Sequence, residues 1–244
     1  MIRPHRACYD RAVTVAAVVL AAPSESPLAD ADGVPRVRRI ADAAWAGGAI
    51  PIVVVAADPD GAISAALAGA QAGLAGGHAV LARPGPEETG PAGQLGRGIA
   101  AALSLVRGTD AVLVWPAGFP WVGPETVTSL LEAHGVTPGA LLRPTYRTVA
   151  GWPALVPLAR LELLRSLGAE RTADEVVGAL IAADTPYRTL DLGDPGTVIG
   201  GDTARRALPA YDGPPEPTAG HVHEWGAAVA DRADEPPEPP AVVG

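Results

Sequence analysis

Four stretches constrain this chain more than anything else in it. "VTVAAVVLAA" (13–22), "IPIVVVAA" (50–57), "HAVLA" (78–82) and "DAVLVW" (110–115) are apolar with almost no polar alternation. A strand with one face in water alternates polar and apolar residues, whereas a strand covered on both faces does not. Between these runs lie segments that read as helices: "VPRVRRIADAAWAGG" (34–48), ending on glycines, the Ala-rich "DGAISAALAGAQAGLAG" (60–76), and "QLGRGIAAALSLVRG" (94–108). "GPETVTSLLEAHG" (123–135) follows as another helix, with Pro124 in its first turn and Glu125 near its positive end. Strand–helix alternation on this spacing predicts an α/β protein: a three-layer domain whose mainly parallel sheet is covered by helices on both faces.

The second half is less regular. "GALLRPTYRTVAGWPALVPL" (139–158) reads as an extended excursion with two strands. "LARLELLRSLG" (158–168) and "TADEVVGALIAAD" (172–184) read as short helices, the latter opening with Thr172 and Glu175 in capping-box spacing. "PYRTLDLGDPGTVIGGDT" (186–203) reads as a strand, a turn and a second short strand. From about Pro209, prolines, glycines and acids dominate and no apolar periodicity survives. The expected organisation is therefore one domain over 13–208 and a disordered acidic tail over 209–244. His221, His223 and Glu224 fall in that tail and read as solvated, with metal binding as the alternative.

Composition narrows the chemistry. At 244 residues the chain is long enough to bury one good core, and with only 4% aromatics that core must be built from small aliphatic side chains. All 18 basic residues are arginine, so no lysine is present to anchor phosphate, form a Schiff base or act as a general base. The net charge of −9, with arginines scattered rather than striped, argues against a nucleic-acid partner. Cys8 has no second cysteine for a disulfide or a zinc site, which fits a cytoplasmic setting. The N-terminal segment imitates a secretory signal, but Asp10 and Arg11 abut its Val-rich run, which serves as a first strand. No stretch has the apolar length needed to span a membrane.

In open α/β sheets, ligands bind outside the carboxyl ends of the strands. The run at 110–115 ends in "PAGFPWV" (116–122), broken by Pro116, Gly118 and Pro120, where no acid, base, hydroxyl or amide side chain stands. The loop after the first strand, "APSESPLADADG" (22–33), is placed for phosphate binding. It carries Glu25, Asp30 and Asp32 but no base, and it reads as a solvated connection, with magnesium binding as the alternative. "GPAGQLGRGIAAAL" (90–103) brings glycines and Arg97 to a helix start; anion binding and ordinary capping are equally open there. Asp194 and Asp202 flank a glycine-bearing turn, where Asx-turn duty competes with metal ligation. No Ser–His–acid set suggests a nucleophilic triad.

Taken in order, these segments resemble the MobA-like NTP transferases, the nucleotidyltransferase family that includes the molybdenum-cofactor cytidylyl- and guanylyltransferases. "VAAVVLAA" resembles the opening "ILAAG" strand, and "GVPRVRRIADAAWAGG" the following "G-x-P-L-L-x-R" helix. "GQLGRGIAAALSLVRGTDAVLVWPAGFPWVGPETVTSLL" is similar to the "GM-x-x-S-L-R-x-G-L" helix and "LADQPLV" turn. "RPTYRTVAGWPAL" resembles "P-x-Y-x-G-x-x-G-H-P-V-L", and "DLGDPGTVIGGDT" resembles "D-x-G-x-x-x-D-I-D-T-P".

The resemblance covers about residues 13–208. It implies transfer of a nucleoside monophosphate from CTP or GTP to a molybdopterin-like or other phosphate-bearing acceptor, assisted by Mg²⁺. It also implies nucleotide-binding roles for Gly93, Arg97 and Gly98, and metal ligation by Asp202. The sequence departs from the pattern where that chemistry sits. Pro23 replaces the first glycine of the triphosphate loop, whose arginine and lysine have no counterpart. Gly118 stands where "LADQP" has its metal-binding Asp, Gly200 replaces the first Asp of "D-I-D-T", and Trp152 replaces the His of "GHP". The expectation is a family member with weak or lost catalysis, the alternative being a non-catalytic relative that binds a ligand or protein partner.

Overall fold

The computed structural model describes residues 13–22, 27–71, 79–88 and 90–213. Cys8, Pro23, Glu25, the His221, His223 and Glu224 trio and the tail from 214 onward lie outside them. The first half alternates as its periodicity predicts: β1 (Thr14–Leu20), α1 (Arg36–Ala46), β2 (Ile52–Val55), α2 (Ala62–Gln71), β3 (Ala79–Ala82), α3 (Pro91–Leu105), β4 (Thr109–Pro116) and α4 (Pro124–Val136). Then come β5 (Leu141–Tyr146), β6 (Val149–Ala150), β7 (Ala154–Pro157), α5 (Leu161–Ser166), α6 (Ala173–Ala182) and β8 (Tyr187–Asp191).

The described strands form one sheet in the order β3-β2-β1-β4-β7-β5-β6, with β8 beside β5. The β3-β2-β1-β4 half is parallel, with Val18 level with Val53 on one side and Val114 on the other. β7 runs antiparallel between β4 and β5, and β8 is parallel to β5. The sheet is thus mostly parallel and sandwiched, as the unalternating runs require.

Each central strand divides its side chains between two cores. Val15, Ala17 and Val19 face a cluster built on Val37, Ile40, Val127 and Leu130 of α1 and α4, with Trp115 fully buried among them. Ala16, Val18 and Leu20 face the other, built on Leu95, Ile99, Val177 and Leu180 of α3 and α6. α3 comes unusually close to the sheet. A Cβ on Gly98 would lie 2.2 Å from Val18 Cγ1, so only glycine permits this packing distance.

Two expectations about the second half need correcting. The 139–158 excursion holds three strands, because the β5–β6 hairpin turns back through Arg147 and Thr148, both at positive φ. No second strand forms in 194–203; a 3₁₀ turn over Pro195–Thr197 takes its place. Asp194 explains the difference. Its carboxylate accepts the Gly196 N–H at 2.8 Å, an Asx-turn that bends the backbone out of any ladder. The capping box at Thr172 and Glu175 forms as its spacing predicts. At the end of the described chain, Asp212 donates its N–H to the Gly193 carbonyl at 3.1 Å.

Candidate functional site

After β1 the chain moves outward to β2 and β3, and then returns to place β4 on the other side of β1. This reversal opens a crevice at the carboxyl ends of β1 and β4, the usual ligand position in such sheets. The crevice is a cleft of about 250 Å³ between Ala22, Gln94, Phe119, Trp152 and the first turn of α6.

Its floor is polar but already paired. Gln94 is fully buried, and its Oε1 accepts the Ala22 N–H at 3.2 Å while its Nε2 donates to the Ala22 carbonyl. The backbone groups that open the first loop are therefore held by a side chain of α3. The first turn of α3 is likewise closed: the Ala92 N–H donates to Arg171 O and the Gly93 N–H to Ala169 O, each at 3.0 Å. These amides would otherwise attract an anion at a helix start.

On the far wall, the Arg143 guanidinium stacks over Trp152, 4.5 Å from the ring centroid. It donates through Nε to the Gly151 carbonyl at 2.9 Å and through Nη1 to Asp174 Oδ1 at 3.1 Å. The aromatic ring in place of a histidine thus becomes a platform for a cation that is itself tied down.

The structure brings Gly118 and the 200–203 turn together. The Gly201 N–H donates to the Gly118 carbonyl at 2.7 Å, and Trp121 Nε1 donates to the Thr203 carbonyl at 3.0 Å. Asp202 forms an ion pair with Arg36, Nη2 to Oδ1 at 2.6 Å. The Asp202 side chain is 97% exposed, whereas the Arg36 side chain is only 11% exposed.

The other expected site residues are dispersed. Gly93 packs against the Glu88 backbone, and a Cβ there would lie 2.7 Å from Glu88 Cα. Gly98 packs on Val18, so both glycines serve close approach within the fold. Arg97 is exposed and faces a separate shallow hollow with Arg83 and the 84–88 loop, away from the cleft that holds Gln94. Asp30 accepts the Gly33 N–H at 2.7 Å within its own turn.

Asp194 was open to metal ligation on sequence grounds, but all its bonding serves the fold. Besides Gly196, it accepts the Gly123 N–H at 3.0 Å and the Thr126 hydroxyl at 2.7 Å, tying the 3₁₀ turn to the start of α4. Asp58, not singled out from sequence, does similar work at the start of α2. It accepts from Ile63 N–H at 2.9 Å and Ser64 N–H at 3.0 Å, and the Ser64 hydroxyl bond is the main cause of a carboxyl pKa below the usual range.

A family model for the MobA-like NTP transferase domain matches residues 24–187. The chain belongs to the MobA-like NTP transferase family. No curated protein sequence matches it. Among solved structures, the Rv0371c protein of Mycobacterium tuberculosis H37Rv in complex with manganese shares 17% identity at a TM-score of 0.56, over 74% of this chain and 88% of that one. A nucleotidyl transferase from Methanothermobacter gives 18% identity and a TM-score of 0.55, covering 73% of this chain and 87% of that one. The 2-C-methyl-D-erythritol 4-phosphate cytidylyltransferase of Thermus thermophilus gives 15% and 0.52, over 77% and 92%. At these identities the likeness is one of fold: the mainly parallel α/β sheet that the alternation predicted, in the nucleotidyltransferase form that the resemblance implied.

For a MobA-like NTP transferase, the donor set at the strand ends is poor. Gly118 brings no carboxylate, and the Asp202 carboxylate rests on a guanidinium. Among the described residues, no group of three or more His, Cys, Asp or Glu side chains is disposed to hold a metal ion. These residues do not fit a divalent cation, which needs several oxygen ligands around it. Nor is any helix among the described residues long and apolar enough to cross a membrane.

Proposed function

We propose that this family member binds a nucleotide, CTP or GTP, with nucleotidyl transfer weak or lost. The observation that carries the reading is the pairing of Gly118 with the Asp202 turn. The two positions to which the family resemblance assigns metal-binding carboxylates sit side by side, yet one is glycine and the other is paired with Arg36. Transfer from a triphosphate relies on a cation to stabilise developing charge, a contribution of several kcal/mol. Each ~1.4 kcal/mol lost is tenfold in rate.

The bonds on Ala22 and on the first turn of α3 support the loss of transfer, since amides engaged inside the fold are withdrawn from the phosphate oxygens of a reacting triphosphate. If transfer persists, Mg²⁺ is the expected cofactor, Asp202 its remaining candidate ligand, and a molybdopterin-like or other phosphate-bearing compound the acceptor. A nucleotide-binding role for Gly93, Arg97 and Gly98 is the part of the proposal with least support from the geometry, because the two glycines pack against Glu88 and Val18 and Arg97 faces the hollow beside Arg83.

The second reading, a non-catalytic relative serving a ligand or protein partner, draws on that same loss of donors. Titration of the full chain with CTP, GTP and ATP, with and without Mg²⁺, decides between them when heat and pyrophosphate release are followed together. Binding without turnover is the expected result. Metal-dependent turnover would remove the claim of lost catalysis, and failure of every nucleotide to bind would leave only the non-catalytic partner role.

A further inference from the structure

The ion pair between Arg36 and Asp202 is lopsided. Arg36 opens α1, and its guanidinium lies against Gly201, where a Cβ would come within 2.7 Å of Arg36 Nε and 2.8 Å of Pro120 Cγ. Its Nε is buried and has no hydrogen-bond partner. Asp202 reaches only Nη2. A guanidinium presents donors in a planar fork that two oxygens of one anion can fill together. Asp202 therefore leaves half of that fork unmet.

The two partners also differ in what separation involves. The Asp202 carboxylate is already almost wholly in water and gives up little when its cation is taken. The Arg36 cation is nearly enclosed, so it needs an anion at hand at all times. Such a pair is open to exchange on one side only: an incoming oxyanion can replace Asp202, but Arg36 stays where it is.

The surroundings favour an anion. Arg39 lies three residues along the same helix and stacks over Trp121 at 5.3 Å. Arg39 and Arg205 line a hollow of about 320 Å³ beside Pro120 and Trp121, with Asp42 as the opposing charge.

We propose that Arg36 is the anion-recognising group of this site and that Asp202 is its intramolecular competitor, so that a phosphate-bearing ligand binds here without a divalent cation. The phosphate takes Nη2 from Asp202 and reaches Nε as the 200–203 turn moves aside. The ligand class rests on the nucleotide-binding reading above, but the role of Arg36 does not.

The test is calorimetric titration of the full chain with inorganic phosphate, and separately with CTP, both in EDTA. Asp202→Asn removes the competitor, and phosphate affinity is expected to rise about fivefold, the size of an exposed ion pair. Arg36→Gln is expected to abolish phosphate binding. Arg36→Lys, which keeps the charge but not the fork, is expected to weaken it, with thermal melts showing that each variant is folded. Unchanged or weaker phosphate binding in Asp202→Asn overturns the proposal, as does binding that appears only with Mg²⁺ and disappears in that variant. Absence of phosphate binding to both proteins overturns it too. Should CTP and GTP fail to bind even with Mg²⁺ while phosphate still binds Asp202→Asn more tightly, the nucleotide reading falls and the Arg36 assignment stands.

Discussion

Gln94 makes two hydrogen bonds through its carboxamide to one residue, Ala22, 72 positions away in sequence. The clamp fastens the end of β1 to the first turn of α3 and fixes where the first loop begins. Replacing Gln94 with Met keeps the volume and removes both partners, leaving the partly buried Ala22 N–H and C=O without these bonds. Each such group costs about 1–3 kcal/mol. Gln94→Met is expected to lower the melting temperature by about 5 °C or more, read by differential scanning calorimetry. A melt unchanged from wild type would show that the clamp contributes nothing.

Asp194 is expected to matter for folding and not for metal binding. It is 6% exposed and receives the Gly123 and Gly196 amides and the Thr126 hydroxyl. Asp194→Ala strands two buried donors, the Gly196 N–H and the Thr126 hydroxyl, and the partly buried Gly123 N–H. A destabilisation of about 3 kcal/mol or more follows from the unmet bonds, measured by urea unfolding with and without Mg²⁺. The loss is expected to be equal in the two conditions; a loss confined to Mg²⁺-containing buffer would make Asp194 a metal ligand instead.

How much of this was legible in the sequence depends on the range of the interaction. The four Val-rich runs announce strands because their pattern is local, and the Thr172–Glu175 box is legible for the same reason. Asp194 before Pro195 and Gly196 carried a local turn signal, but its bonds to Gly123 and Thr126 span about 70 residues and leave no pattern. Arg36 and Asp202 are separated by 166 residues, and nothing in "VPRVRRI" distinguishes Arg36 from Arg38 or Arg39 until the fold buries it. Glycines 93 and 98 are ambiguous in a different way. A glycine that admits a phosphate and one that admits a neighbouring helix or strand look identical in sequence, and here Val18 and the Glu88 backbone fill the space.

That distinction can be measured within one helix. A Cβ at Gly98 collides with Val18 Cγ1, whereas a Cβ at Gly96 meets nothing within 4 Å. Gly98→Ala overpacks the interface between α3 and β1 and is expected to destabilise by about 1–3 kcal/mol. Gly96→Ala in the same helix is expected to stabilise by about 0.5–1 kcal/mol through helix propensity and a less free unfolded chain. Chemical denaturation of both variants checks the pair, and equal effects of the same sign would contradict the close packing of α3.

His134 makes stability depend on pH. It is fully buried in α4, and neither ring nitrogen has a hydrogen-bond partner. Burial pushes its pKa below the usual histidine value, with the nearby Asp110 charge opposing the shift. The folded state therefore holds the imidazole neutral, while the unfolded chain takes up a proton near pH 6.5. Because the unfolded state binds more protons, this contribution to stability is present above about pH 6.5 and is lost progressively as pH falls toward the lowered folded value. Thermal melts between pH 5 and 7.5 are expected to show the midpoint falling on the acid side, and His134→Leu, which fills the same buried space without titrating, is expected to flatten that fall. An equally steep acid-side fall in His134→Leu would assign it to the carboxylates and not to this histidine.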